Sequence, residues 1–320
     1  MKTLATTSLL LVIMLVTVSA YLRLDHSGIG CKDWPACYGM IGTAVNAPPS
    51  VGDAYERLAE DALKPLSWAT PVHRLVASVL GLTVLAMALV SLRQKRDRLI
   101  SLSLLGLTVF LAWLGIYSGG LHSPAVVMGN LGGGFMMLGL LGWMSFRHSK
   151  PAANPPPRAV RHWVIAAIVL LCLQIGLGGL TSANFAASAC QTLPDCHGSY
   201  LPGSRLGTAF DLSRSHLVGP TGLAVGGSER ADIHKLHRIG AVLASLVVLF
   251  AGTLALRAKL GMTAVIVIAV VVLEFSAGIA AILAHIPIGI AVAHNGLAAI
   301  LLLGLIRLLA ICNQQQALPA

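Results

Sequence analysis

The sequence predicts an all-α polytopic membrane protein of eight transmembrane helices, arranged as two pseudo-symmetric four-helix bundles. Three observations carry this. Hydrophobic residues make up 56% of the 320 and charged residues 11%, far from the balance of a soluble domain. Eight stretches of about 20 apolar residues can be drawn, each enough to cross roughly 30 Å of hydrocarbon as helix. The second half of the chain repeats the first across KPAANPPPRAVR, residues 150–161, a polar, proline-rich connector that no membrane helix would contain.

Taken in order, the first span covers 4–22. Lys2, the run from Leu9 to Val18 and the small pair Ser19 and Ala20 also describe a cleavable signal peptide. Its relation to the cysteine hairpin that follows is matched by the fifth span, 163–182, so it is read as a retained repeat partner. The second span, 71–92, opens on VHRLVASVLGL, and the sixth, 236–256, on the similar LHRIGAVLASL. The third, 99–118, follows the basic run RQKRDR at 93–98. The fourth, 124–146, is preceded by LHSPAVV and the eighth, 287–311, by AHIPIGI. The seventh, 261–283, carries Glu274, which can relay protons, pair with a neighbouring helix, or sit protonated and hydrogen-bonded. Four spans return the chain to its starting side, so the repeat is parallel. The halves are 1–149 and 162–320, joined by the linker 150–161.

Charge sets the orientation. With the N-terminus inside, the inner segments hold Lys2, the 93–98 run, Arg147, Lys150, Arg158, Arg161, Arg257, Lys259 and Arg307 against one acid, Asp97. The outer segments balance ten basic with ten acidic residues, so nearly all of the net +10 lies on one face, as the positive-inside rule requires. The basic balance is therefore topology, and nucleic acid is not a partner. No Walker loop, dinucleotide fingerprint or zinc-type cluster stands out.

Both long outer loops, 23–69 and 183–233, carry a Cys-x5-Cys hairpin, GCKDWPACYG and ACQTLPDCHG. On the oxidising side of a bacterial-type plasma membrane, Cys31 with Cys37 and Cys190 with Cys196 read as disulfides. Cys172 and Cys312 read as buried or inner-face thiols.

His73 and His237, each followed by arginine, stand 164 residues apart. His294 follows His237 by 57 residues, and the same step from His73 lands on Asn130. One half thus presents two histidines and the other a histidine and an asparagine. An intramembrane histidine faces the bundle interior and pairs or binds there. Two imidazoles on facing helices of a four-helix unit can grip a haem iron from both sides. Arg74 and Arg238 can hold haem propionates or extend to the headgroups. Gly132 to Gly134 either admit a flat macrocycle or allow close helix packing. His234, at the edge of the second outer loop, reads as solvated.

The ordered set LDHSGIGCKDWPACYG, WATPVHRLVASVLG, PAVVMGNLGGG, LTSANFAASACQTLPDCHG, IHKLHRIGAVL and IAVAHNGLAAILLL resembles the haem A synthase family in its proteobacterial form, over essentially the whole chain. The resemblance implies oxidation of the ring C8 methyl of haem O to formyl, giving haem A for terminal oxidases. His237 and His294 would be the ligands of a b-type haem, and His73 the first histidine of the catalytic pocket that takes haem O and releases haem A. Cys31 and Cys37 would be a structural disulfide or a redox pair. The implied partners are the bilayer, haem O, haem O synthase, an electron donor and a second copy of the chain. The setting would be the inner membrane, with both termini cytoplasmic and the cysteine loops periplasmic.

Two positions depart from the family pattern: Asn130 stands for a histidine, and Thr70 for a glutamate three residues before His73. Amide is a poor ligand for iron, and threonine cannot serve as a carboxylate base. Thr70, Cys31 and Cys37 are thus the catalytic candidates, and His73, Asn130, His237, His294, Arg74 and Arg238 the cofactor-binding ones. The open iron position would serve oxygen activation, with Glu60 or Asp61 replacing the lost glutamate. The alternatives are a paralogue that binds haem in the C-terminal half for electron transfer or haem handling, and a transporter or structural membrane protein.

Overall fold

A computed structural model describes residues 2–25, 69–117, 124–147, 156–213, 217–218, 224–225 and 227–314. Eight long helices dominate it: α1 Lys2–Asp25, α2 Ala69–Gln94, α3 Arg98–Tyr117, α4 Pro124–Phe146, α5 Arg158–Ala183, α6 Glu229–Arg257, α7 Met262–Leu283 and α8 Ile288–Gln314. All eight are long and apolar enough to cross a membrane, as the apolar runs predict. Between α5 and α6 lie a 3-10 turn at Ala187–Ala189, a one-turn helix at Leu206–Ala209 and two antiparallel two-residue strands, Leu217–Val218 and Ala224–Val225.

Two boundaries differ from the expectation. The connector 150–161 is shorter than its composition suggests, because α5 starts at Arg158 behind Pro157; proline's fixed φ suits a helix start and its missing N–H is not needed there. Helix α6 begins at Glu229 instead of 236. Its first two turns are polar but not solvated: Glu229, Arg230, Asp232 and His234 are all buried. Glu229 and Asp232 sit in the first turn, where carboxylates favour the helix dipole. Glu229 also accepts the Gly227 N–H at 3.0 Å. Apolarity alone cannot report helix of this kind.

Helix α1 packs on α2 and α4, and α3 on the same two; α5 packs on α6 and α8, and α7 on the same two. The two sets meet where α8 lies against α1 and α4, and α4 against α5. Helix α8 is the hub: 61% of its apolar window is buried, against 17% for α3 and α7, which present their remaining faces outward. One continuous core runs from Val12 and Met87 through Leu138 and Leu141 to Leu301 and Leu305. In lipid such contacts gain from close packing rather than from escape from water. Gly142 lets α4 approach α8, since a Cβ there would stand 2.6 Å from Leu303 Cδ2. Polar stitches join helix ends: Ser8 donates to Thr83 at 2.9 Å between α1 and α2, and Arg161 to Asn313 at 2.7 Å between α5 and α8. Asp97, in the α2–α3 turn, pairs with Arg147 after α4.

Candidate functional site

A cavity of about 630 Å³ opens among α5, α6, α7 and α8, within the roughly 300–1,000 Å³ of cofactor-sized sites. Its walls are largely apolar, with Phe135, Val248, Val271 and Phe275 among them. Both His237 of α6 and His294 of α8 line it. These helices do not neighbour each other in the ring of four but sit diagonally, each flanked by α5 and α7. The two imidazoles therefore enter from opposite walls.

Each histidine is seated by a neighbouring helix in the same way. The His237 ring lies over Gly178 of α5, where an added Cβ would stand 3.2 Å from Cε1. One turn earlier on α5, Gln174 Nε2 stands 2.9 Å from His237 Nδ1 and donates to the His237 carbonyl at 3.0 Å. The His294 ring lies over Gly278 of α7, with the added Cβ at 3.4 Å from Cε1. One turn earlier on α7, both the Glu274 carbonyl and its Oε1 stand 3.2 Å from His294 Nδ1. A polar residue followed four positions later by glycine places both on one helix face. On that face glycine makes room for the ring, and the polar group reaches one nitrogen. In His294 the two acceptors fix Nδ1 as the protonated nitrogen and leave the Nε2 lone pair for the cavity.

The end of the cavity beside the Cys190–Cys196 hairpin is polar. Arg23 of α1 donates to Asn295 at 3.0 Å, beside His294, so the first half of the chain contributes to the second half's cavity. Arg238 lines the cavity too. Its guanidinium donates to the carbonyls of Cys190 at 2.7 Å, Thr192 at 2.8 Å and Asp195 at 2.9 Å. Cys190 and Cys196 form a disulfide, and Cys196 and Ser199 exchange backbone hydrogen bonds at 2.9 and 3.1 Å. Arg238 thereby ties this hairpin over the helix ends. Its Nε is buried without a partner among the described residues.

Other expectations fare differently. His234 is not solvated: it lies on α6, 5% exposed, and lines the cavity, because the helix begins early enough to turn it inward. Its Nδ1 is buried with no hydrogen-bond partner among the described residues. Glu274 takes the helix-pairing option, and Cys312 is buried as expected. Cys172 is exposed on α5, since its helix face points away from the core. Gly133 packs against Leu111 of α3 and Gly134 lies near Val16 of α1, whereas a Cβ at Gly132 would meet nothing among the described residues. His73 is half-buried and Arg74 exposed on α2, Asn130 is half-buried on α4, and Thr70 lies in the first turn of α2. Cys31, Cys37, Glu60 and Asp61 fall outside the described residues.

Sequence reasoning missed Gln174, Gly178, Gly278, Asn295 and Arg23. The repeated spacing Gln174 to Gly178 and Glu274 to Gly278 was the available signal for the first three. Nothing local marks Arg23, whose place depends on how the halves meet.

Known proteins are similar to this chain along most of its length. The COX15-CtaA family, described as cytochrome oxidase assembly protein, matches residues 2–306. Heme A synthase of Shewanella oneidensis is 32% identical over 93% of this chain and 92% of its own. The heme A synthases of Allorhizobium ampelinum and Neorickettsia sennetsu are each 28% identical, covering 90% and 92% of this chain and 84% and 93% of their own. With eight membrane-type helices and a relative this similar along its length, the chain belongs to the COX15-CtaA family of cytochrome oxidase assembly proteins, alongside the bacterial haem A synthases.

Proposed function

We propose that this protein is a haem A synthase-like membrane oxidoreductase, taking haem O as substrate and oxidising its C8 methyl to formyl. In this reading the helices form two pseudo-symmetric four-helix bundles, with a b-type haem resident in the C-terminal one. The observation that carries it is the pair of imidazoles entering one apolar cavity from diagonal helices, each over a glycine. Two donors on opposite walls suit a metal that brings four more in a plane. A flat macrocycle also suits apolar walls with cationic groups at one end.

When bound, a b-type haem would supply one-electron transfer. His237 and His294 hold it, while α5 and α7 fix their rings. Arg238 steadies the Cys190–Cys196 hairpin over the cavity mouth, and its Nε together with His234 Nδ1 offers polar partners to the ring's carboxylates. In the N-terminal half, His73 would hold the substrate's iron and Arg74 one of its propionates, with Asn130 on α4 and Thr70 three residues before His73 in the sequence as the two departures from the family pattern. Cys31 and Cys37 would be the corresponding cysteine pair of this half. Lys2, the 93–98 run and the other basic ends face the cytoplasm, and the cysteine loops face the periplasm.

Co-expression with a haem O source, followed by extraction and chromatography of the haems, tests this. Haem A should accumulate. Bound b-type haem with no haem A overturns the synthase reading in favour of a haem-binding paralogue. One observation favours that second reading: Leu114 of α3 fills the face of α4 at Gly129, beside Asn130.

A further inference from the structure

The cavity among α5, α6, α7 and α8 is not closed by the C-terminal half alone. Arg23 of α1 and Leu131 and Phe135 of α4 also line it, so part of its wall comes from the first half. Of these three, Arg23 brings a charge.

Each cavity histidine is followed by a polar residue, Arg238 after His237 and Asn295 after His294. Arg238 carries its own guanidinium to the α6 side. Asn295 carries none, but its amide holds one. Asn295 Nδ2 donates to the Ala291 carbonyl at 2.9 Å, which leaves Oδ1 to accept Arg23 Nη2 at 3.0 Å. Because the amide is neutral, this contact orients the guanidinium without cancelling its charge. Helices α6 and α8 stand diagonally, so an arginine lies on the side of each histidine, one from each half of the chain.

The internal repeat does not demand this. Cys31 and Cys190 are 159 residues apart, and the same step from Arg23 lands on Ser182, an uncharged residue that lines the same cavity from α5. Arg23 is therefore a one-sided addition. The one carboxyl group in the described lining, Glu274, faces His294. Two guanidinium groups on a largely apolar cavity suit a flat apolar ligand that carries two carboxylates, since a planar fork pairs with a carboxylate through parallel hydrogen bonds.

We infer that Arg23 is a binding residue of the C-terminal cavity, supplied by the first half, and that it takes one carboxylate of the ligand while Arg238 serves the other. This rests on the haem reading above, in which the ligand is a macrocycle bearing two propionates. The site is then composite: its full affinity needs α1 docked against α8.

The test titrates haem-free full chain, purified in detergent, with protohaem and with protohaem dimethyl ester, in which both carboxylates are masked. The low-spin absorption band reads binding. Arg23→Gln should weaken protohaem binding about tenfold, the low end for a hydrogen bond to a charged group, and leave the affinity for the ester at its wild-type value. Arg23→Lys should recover part of the loss, since a point charge replaces a fork. At saturation both variants should keep the wild-type band, because both imidazoles remain. A loss equal for acid and ester would make Arg23 a packing residue, and no loss would make it a bystander; either overturns the inference and leaves the haem reading standing. Should Arg23→Gln fail to fold, Asn295→Ala decides by the same comparison: it should weaken protohaem more than the ester, and equal effects on the two overturn the inference. A wild-type chain that forms no low-spin band with either ligand overturns the haem reading and the inference with it.

Discussion

The halves carry the same motif at the start of their second helix, yet diverge one helix later. The 164-residue register that relates His73 to His237 and Asn130 to His294 sets Phe110 opposite Glu274 and Leu114 opposite Gly278. In the C-terminal half the small residue is on α7 and the large ring on α8. In the N-terminal half the large side chain is on α3: Leu114 is buried, and a Cβ on Gly129 of α4 would stand 2.8 Å from its Cδ2. Phe110 is exposed and packs beside Trp113 at 6.4 Å. A histidine seat in the C-terminal half is therefore a three-residue device, and the first half carries none of the three residue types at the matching positions. The space that a glycine would leave at Leu114 is filled by that side chain.

The largest effect expected from this difference is in the C-terminal histidines. His237→Ala or His294→Ala should abolish the low-spin haem spectrum of the purified protein, whereas His73→Ala should leave that signal in place. If His73→Ala removes it instead, the resident haem lies in the other half.

Next in size is an attempt to rebuild the missing seat. Asn130→His alone should add no second low-spin component, because Leu114 lies against α4 at that level. Asn130→His with Leu114→Gly should add one, visible as a second set of ferric signals on loading with excess haem. The reverse change, Gly278→Leu, should lower haem content by on the order of tenfold, since the side chain would displace the His294 ring. Equal behaviour of the single and double variants would show that the glycine is packing and not a seat.

Much of this was legible beforehand, and for physical reasons. Lipid demands about 20 apolar residues per span, so eight helices could be read from composition. His237, His294 and the Cys190–Cys196 pair could be read from their repetition. The buried polar start of α6 could not, because Glu229, Arg230 and Asp232 look like loop residues until their partners are known. Arg230 donates to the Phe185 carbonyl and Asp232 pairs with Lys235 at 3.4 Å, and these contacts turn His234 inward. Arg238 shows the same limit: its place after His237 marks it as important, but the hairpin carbonyls it holds lie more than forty residues away.

That hairpin gives the third effect. Charge-assisted hydrogen bonds contribute about 1.5–3 kcal/mol each, and Arg238 makes several to one loop. Arg238→Ala should therefore increase proteolysis of the 190–205 segment in detergent and lower thermal stability. Arg238→Lys should recover only part of this, since one ammonium cannot span Cys190, Thr192 and Asp195 as a planar guanidinium does. Full recovery by lysine would mean the charge matters and the fork does not.

The smallest effect separates a helix stitch from a ligand seat. Both halves join their first two helices by a side-chain contact, Ser8 with Thr83 in one and Gln174 with His237 in the other. Ser8→Ala removes a bond between two hydroxyls that touch neither histidine nor cavity. Such bonds within membranes average about 0.6 kcal/mol, because the separated helices find other partners. Stability in detergent should fall by about that much, and the haem spectrum should not move. Gln174→Ala breaks a contact of the same length, but its partner is an imidazole facing the cavity, so the spectrum should change even where stability does not. A spectral change in Ser8→Ala would mean that the halves communicate through α1, whose C-terminal end already reaches Asn295 beside His294.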